Sequence, residues 1–248
     1  KILLNKLSIP KNFKIRYFAA DFLISGKNNN YDIVIGNPPF KKITKNKKLL
    51  EEYRLGKYNT NTNNVYSLFI EEALRRGNIV SFVVPKTMLS APEFNRTREL
   101  MSNYNLLKLV DFGEKAFNVL VETIGFVLKK TKKHPQNLVK IESFVTGEKR
   151  TVKQSYIISD DFPYWLIYRN KFFDDVAKKM KFDVFTSFRD RQITKKISQS
   201  HGKYRILKSR NIDNNSIKNI PGYDCYVSEK ELDSLAVRKY LNSKGAVL

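Results

Sequence analysis

Cysteine is nearly absent from this 248-residue chain, which carries only Cys225. One thiol cannot close an intrachain disulfide or build a cysteine-based metal site. Histidine is also scarce: His134 and His201 are too few for a His-based zinc centre, and no metal is expected. No apolar run is long enough to span a bilayer, and nothing reads as a signal peptide, so no membrane partner is expected. Acidic residues are few, with 24 Asp and Glu against 46 Lys and Arg, a net charge of +22. That imbalance calls for an anionic partner or an unusual need for solubility. Lysine, asparagine and isoleucine are all abundant, as in proteins of AT-rich genomes, so part of the charge carries no information. The apolar share of 42%, with thirteen Tyr and seventeen Phe, suffices to bury a core. The length allows one large domain or two modest ones.

The most informative stretch is YDIVIGNPPF, residues 31–40. Ile33, Val34 and Ile35 read as a buried strand, and the two prolines after Asn37 must stop it. The result is a stiff loop at the carboxyl end of a strand, where ligands sit in open α/β sheets. Proline has no N–H, so the loop presents acceptors. The Asn37 side-chain carbonyl and a fixed main-chain carbonyl could accept both hydrogens of an exocyclic amino group. This would localise the nitrogen lone pair and stabilise charge developing as nitrogen attacks a methyl donor. Phe40 could stack on the base, which must first leave a duplex. An ordinary proline-rich turn after a core strand would use the same residue types.

Strand signals fall at Ile15–Phe18, Ile33–Ile35, Ile79–Val84, Leu106–Asp111 and Thr123–Leu128. Helix signals fall at 64–76 and 92–103, the second with Pro92 and Glu93 in its first turn. The alternation predicts a mainly parallel sheet covered by helices, while 106–130 reads as a closing antiparallel hairpin. Residues 41–63 read as a long polar loop. Residues 138–158 suggest short strands, and an aromatic cluster with a short amphipathic helix follows at 162–180.

The segments AADFL (19–23), YDIVIGNPPF, NVYSLFIEEAL (64–74), NIVSFVVPKTML (78–89), FNRTRELM (94–101) and FGEKAFNVLVETIGFVLKK (112–130) occur in a fixed order. That ordered set resembles the N6-adenine DNA methyltransferases of bacterial restriction–modification systems, the TaqI-like and Eco57I-like group. The resemblance implies an α/β fold with a partial Rossmann-like sheet that uses S-adenosylmethionine, followed by the start of an α+β target-recognition domain. It implies boundaries at 1–135 for the catalytic part, 136–180 for a connecting segment and 181–248 for the recognition domain. Asn37, Pro38, Pro39 and Phe40 match the catalytic tetrad, with Phe40 and Phe117 as the aromatics against the flipped base. Asp21, Phe22 and Phe69 match the residues around the adenine of S-adenosylmethionine. Read alone, Asp21 could end a strand, and Phe22 and Phe69 could be core aromatics.

Basic residues suggest where double-stranded DNA would lie. Lys41, Lys42, Lys45, Lys47 and Lys48 follow the tetrad and could hold phosphates, although a solvated loop reads the same way. Arg189, Arg191, Lys195, Lys196, Arg205, Lys208 and Arg210 could contact DNA from the recognition part. Lys129, Lys130, Lys132 and Lys133 read as a solvated strand end. A restriction endonuclease domain or subunit is an implied partner, and bacterial cytoplasm the implied setting. The family also places a glycine-bearing loop and a ribose-binding acid upstream of the Asp21 segment, and residues 1–20 contain neither. The expectation is a piece lacking its first two sheet strands, binding cofactor weakly or not at all. An RNA or protein-glutamine methyltransferase, and a DNA-binding piece without activity, are the alternatives.

Overall fold

The computed structural model describes residues 14, 16–25, 29–54, 56–114, 121–181 and 192–240. The chain divides into two compact units, Lys1–Lys178 and Lys179–Leu248. In the first, β1 (Tyr31–Gly36) is followed by α1 (Lys47–Tyr53), α2 (Val65–Arg76) and β2 (Gly77–Pro85). Then come α3 (Asn95–Ser102), β3 (Tyr104–Gly113), β4 (Thr123–Lys132), β5 (Leu138–Ser143), β6 (Lys149–Lys153), α4 (Gln154–Ile157) and α5 (Lys171–Ala177). Six strands form one sheet in the order β1-β2-β4-β3-β5-β6. The pairs β1·β2 and β3·β5 are parallel, and β2·β4, β3·β4 and β5·β6 are antiparallel. The expected hairpin therefore enters the middle of an α/β sheet and makes it mixed.

One face of this sheet holds the core. Val80, Phe82 and Val84 of β2, Ile124, Phe126 and Leu128 of β4, and Val139 and Ile141 of β5 are buried in a cluster with Ile70, Ala73 and Leu74 of α2 and Leu100 and Met101 of α3. On β3 the buried leucines are 106 and 109, three apart. A register shift between Leu106 and Lys108 resets the strand's parity there, as a bulge does. The opposite face is apolar at one end and charged at the other. Ile33 and Ile35 are 59% and 79% exposed, whereas Lys108 and Lys149 pair with Glu142 at 2.9 and 3.0 Å across β3, β5 and β6. The stretch expected to connect two domains contributes β5 and β6, and its Ile157, Trp165 and Ile167 pack into the main core.

Three expectations change. Ile33–Ile35 form the expected strand but not a buried one: Val34 is half-buried against the core, and Ile33 and Ile35 point to the face that no described element covers. Ile15 lies outside the described residues, and Arg16–Phe18 form no strand, with Tyr17 and Phe18 exposed. An apolar run becomes a strand only against a neighbour, and among the described residues β1 pairs only with β2. The 41–63 stretch contains the helix α1. Asn46 caps it, its side chain accepting from the Leu49 amide at 3.0 Å, and Leu50 is buried with Leu23, Val65 and Leu68.

The junction of α2 and β2 depends on Gly77. A Cβ there would sit 2.7 Å from Val34 Cγ2 and 3.1 Å from the Ala73 carbonyl. Gly77→Ala must displace β1 or the last turn of α2, with an expected loss of about 1–3 kcal/mol. Urea denaturation should show a lower midpoint at unchanged slope; an unchanged midpoint would mean that Val34 yields freely.

In the second unit β7 (Tyr204–Ile206) pairs with β10 (Cys225–Val227), and β8 (Ile212–Asp213) with β9 (Ser216–Ile217). Asn214 and Asn215 both have positive φ, 42° and 65°, which closes the β8–β9 hairpin with a two-residue turn. A small core of Val227, Leu232 and Val237 is completed by α6 (Glu229–Asp233), whose cap Ser228 and Glu231 bond reciprocally. Among the described residues no helix is long and apolar enough to cross a membrane.

Candidate active site

The tetrad stands where the sequence placed it, directly after β1. Asn37 is exposed, Pro38 is buried and Pro39 is exposed. Pro38 anchors the loop and leaves the Asn37 amide facing outward, without a hydrogen bond among the described residues. Phe40 is 38% exposed and rests edge-on against Tyr66 of α2, with ring centroids 6.3 Å apart. Tyr66 packs in turn on Phe94 at 5.1 Å, and burial pushes its phenol up from the ordinary value. Phe40 is therefore held by an aromatic neighbour, and part of the ring stays open to a ligand.

After Phe40 the chain doubles back on the start of α2. The Val65 amide donates to the Lys41 carbonyl at 3.0 Å and the Ile43 amide to the Asn63 carbonyl at 2.9 Å. Lys42 pairs with Glu93 at 2.5 Å, so the acid that stands, as expected, in the first helical turn after Ala91 also clamps the loop after the tetrad. Lys41, Lys45, Lys47 and Lys48 are exposed and line the segment into α1.

Asp21, Phe22 and Phe69 come together. The rings of Phe22 and Phe69 stack at 5.5 Å and 21°, and the Arg76 guanidinium lies 4.6 Å over the Phe22 ring. Arg76 is buried and its Nε donates to Glu72 at 2.5 Å. The rings are too close to admit a third between them, because two van der Waals contacts of about 3.5 Å need roughly 7 Å. An adenine would have to lie beside the pair or part it. Asp21 Oδ1 accepts from the Leu23 amide at 2.9 Å, and the Tyr53 hydroxyl donates to Asp21 Oδ2. The bond to Asp21 first, then burial and the nearby negative charge, push the Tyr53 phenol up to about 12. Sequence reasoning missed Tyr53; the only available signal was its place at the end of a short Asn46-capped segment.

A second cluster lies at the carboxyl end of β2, the end of the sheet where the parallel β1 delivers the tetrad. Lys86, after β2, lies 2.9 Å from Asp111 Oδ2 and 3.2 Å from Glu122. The Tyr168 hydroxyl also donates to Asp111 and shares a 2.8 Å bond with Ser143, and the Gly113 amide donates to Asp111 at 3.0 Å. Phe117, between Gly113 and Glu122 in sequence, lies outside the described residues, as do Arg189 and Arg191. Arg205 is used inside the second unit: its guanidinium reaches Asp224 at 2.9 Å, Asn219 at 2.5 Å and the Lys218 carbonyl at 2.7 Å. It holds three segments together rather than facing outward. Arg210 is exposed, its guanidinium 5.4 Å from the Tyr223 ring centroid, and Lys195 and Lys196 are exposed.

Residues 3–117 match the family model described as Eco57I restriction-modification methylase. Among solved structures, the chain is similar to a type I restriction-modification system methyltransferase subunit from Streptococcus thermophilus, at 16% identity and a TM-score of 0.40, over 54% of this chain and 32% of that one. It is similar to the M protein of the type I restriction enzyme EcoKI at 19% identity and a TM-score of 0.39, over 50% and 28%. For the type IIG restriction endonuclease BpuSI the values are 21% and 0.39, over 46% and 15%. The chain thus spans only 15–32% of the lengths of these three proteins. No curated protein matches the chain.

Proposed function

We propose that this chain, whose residues 3–117 match a restriction-modification methylase model, carries the base-binding part of an enzyme that methylates the N6 amino group of adenine in double-stranded DNA, using S-adenosylmethionine. The observation that carries the reading is the exposed Asn37 amide on a proline-stiffened loop at a strand end, with Phe40 beside it on an aromatic support. The Asn37 side-chain carbonyl and the Pro38 carbonyl accept the two amino hydrogens and concentrate the lone pair on nitrogen. Phe40 stacks on the base, and Phe117 is proposed as its second aromatic. The amino proton leaves to solvent after transfer, so no strong base is needed.

The residues around Asp21 fit the adenine end of S-adenosylmethionine. A carboxylate accepts from the purine amino group, and Phe22 and Phe69 supply an apolar flank. When bound, S-adenosylmethionine supplies an electrophilic methyl group on a sulfonium. Lys41 and Lys45, with exposed Arg210 and with Arg189 and Arg191, are proposed to meet DNA phosphates. Lys42 joins them only if its pair with Glu93 opens. Arg205, engaged inside its unit, is not included.

The test is methyl transfer from tritiated S-adenosylmethionine into duplex DNA, RNA or protein by the full polypeptide carrying this chain, with the modified product identified. Label in DNA recovered as N6-methyladenine supports the reading. N4-methylcytosine would move the target base, label confined to RNA or protein would replace the substrate, and DNA binding without label would leave a binding module.

A further inference from the structure

Asp21 and Tyr53 are far apart in sequence, yet the Tyr53 hydroxyl donates directly to the Asp21 carboxylate. The contact follows from how α1 is held. Asn46 caps the helix at 3.0 Å, Leu50 is buried against Leu23 and Leu68, and the amide of Arg54, just past Tyr53, donates to the Leu50 carbonyl at 3.1 Å. Arg54 Nε also bonds the Thr62 carbonyl at 2.8 Å, fixing the chain as it leaves the helix. Leu23 belongs both to this packing and to the turn that donates its amide to Asp21 Oδ1. The carboxylate is thus gripped on each oxygen by a different element, and its plane is fixed.

A carboxylate offers about four lone-pair directions, two on each oxygen. The Leu23 amide and the Tyr53 hydroxyl use one on each, leaving one on each for a ligand beside the Phe22–Phe69 pair. We infer that Tyr53 is a positioning residue, which orients the Asp21 carboxylate to receive the exocyclic amino group of the cofactor's adenine. This rests on the reading of Asp21 given under Proposed function. The role is preorganisation: without the phenol the carboxylate turns more freely, and fixing it is a cost at binding. Tyr53 lies on the segment that carries the lysines after the tetrad, so the element next to the proposed DNA contacts also sets the cofactor-side carboxylate.

The test is titration calorimetry with S-adenosylhomocysteine and with S-inosylhomocysteine, whose purine lacks the amino group, on the full polypeptide and on its Tyr53→Phe and Asp21→Ala variants. Tyr53→Phe is expected to weaken S-adenosylhomocysteine by up to about tenfold, the cost of ordering one freed side chain at binding. It should leave S-inosylhomocysteine nearly unchanged, so discrimination between the two falls by the same factor; a merely structural role would weaken both alike. If Asp21→Ala weakens S-adenosylhomocysteine while Tyr53→Phe leaves affinity unchanged or tightens it, the inference about Tyr53 is overturned alone. If wild type does not bind, or Asp21→Ala has no effect, the cofactor reading falls and takes this inference with it. Spectrophotometric titration gives an independent check of the contact. Asp21→Asn should bring the phenol titrating at about 12 back toward the ordinary tyrosine range, and no change there would also overturn the inference.

Discussion

Asn37→Ala is expected to lower methyl transfer into DNA by about 10²–10³-fold or more, with little change in DNA affinity. Asn37 is exposed just after β1, so truncating its side chain leaves no cavity and the fold should melt as before. What is lost is one of two acceptors aimed at the amino group, felt mainly as charge builds on nitrogen. The effect should therefore appear in kcat more than in KM. Asn37→Asp is the informative companion: it keeps an acceptor of the same size but adds charge, and should retain more activity than alanine. Radiolabel incorporation under saturating DNA separates these outcomes. Alanine activity within a few-fold of wild type would remove the tetrad from the chemistry.

The tetrad and its strand were legible because their signals are local. A β-branched run that ends in Asn-Pro-Pro has one reading as backbone, and β2, β4 and α2 were marked by equally local apolar patterns. The contact of Phe22 with Phe69 was not legible from pattern: Phe69 lies on a helical apolar stripe, and only the ordered resemblance singled it out. The helix α1 was hidden by its composition, since KKLLEEY buries just Leu50 and is otherwise charged. Its role depends on Tyr53 meeting Asp21 across 32 positions, which no periodicity encodes. The parallel docking of β5 on β3 was likewise invisible, because pairing order depends on which edge is free. Arg205 shows the converse limit: its pairing with Asp224, nineteen residues on, cannot be read from the basic stretch that holds it.

Lys86→Met is expected to destabilise the first unit by about 3 kcal/mol, the low end for breaking a buried ion pair. The Asp111 side chain is fully buried, and that of Lys86, whose Nζ is 2.9 Å away, is 22% exposed. Methionine fills much of the lysine's volume but leaves the carboxylate without its cation. The loss stays at the low end because the Tyr168 hydroxyl and the Gly113 amide still donate to it. Burial by itself raises the Asp111 carboxyl, but bonds from Tyr168, Lys86 and Gly113 outweigh it and hold the group below the usual carboxylate range. Burial lowers the Lys86 ammonium, and Asp111 and Glu122 more than restore it, to above the ordinary lysine value. The signs set the window. A depressed carboxyl contributes stability above its unfolded pKa of about 3.9 and loses it as pH falls through the folded value. A raised ammonium contributes below about 10.4 and loses it as pH rises through the folded value. The gap between wild type and Lys86→Met should therefore be flat between roughly pH 5 and 9 and close toward acid, where the carboxyl is neutral in both. Adding Asp111→Asn to Lys86→Met should restore part of the loss, since no buried charge is then left unpaired. Urea midpoints across pH read all of this. A loss below about 0.5 kcal/mol at neutral pH would class the pair with surface bridges, and a double variant weaker than Lys86→Met would show that Asp111 acts through its hydrogen bonds to Gly113 and Tyr168 rather than through its charge.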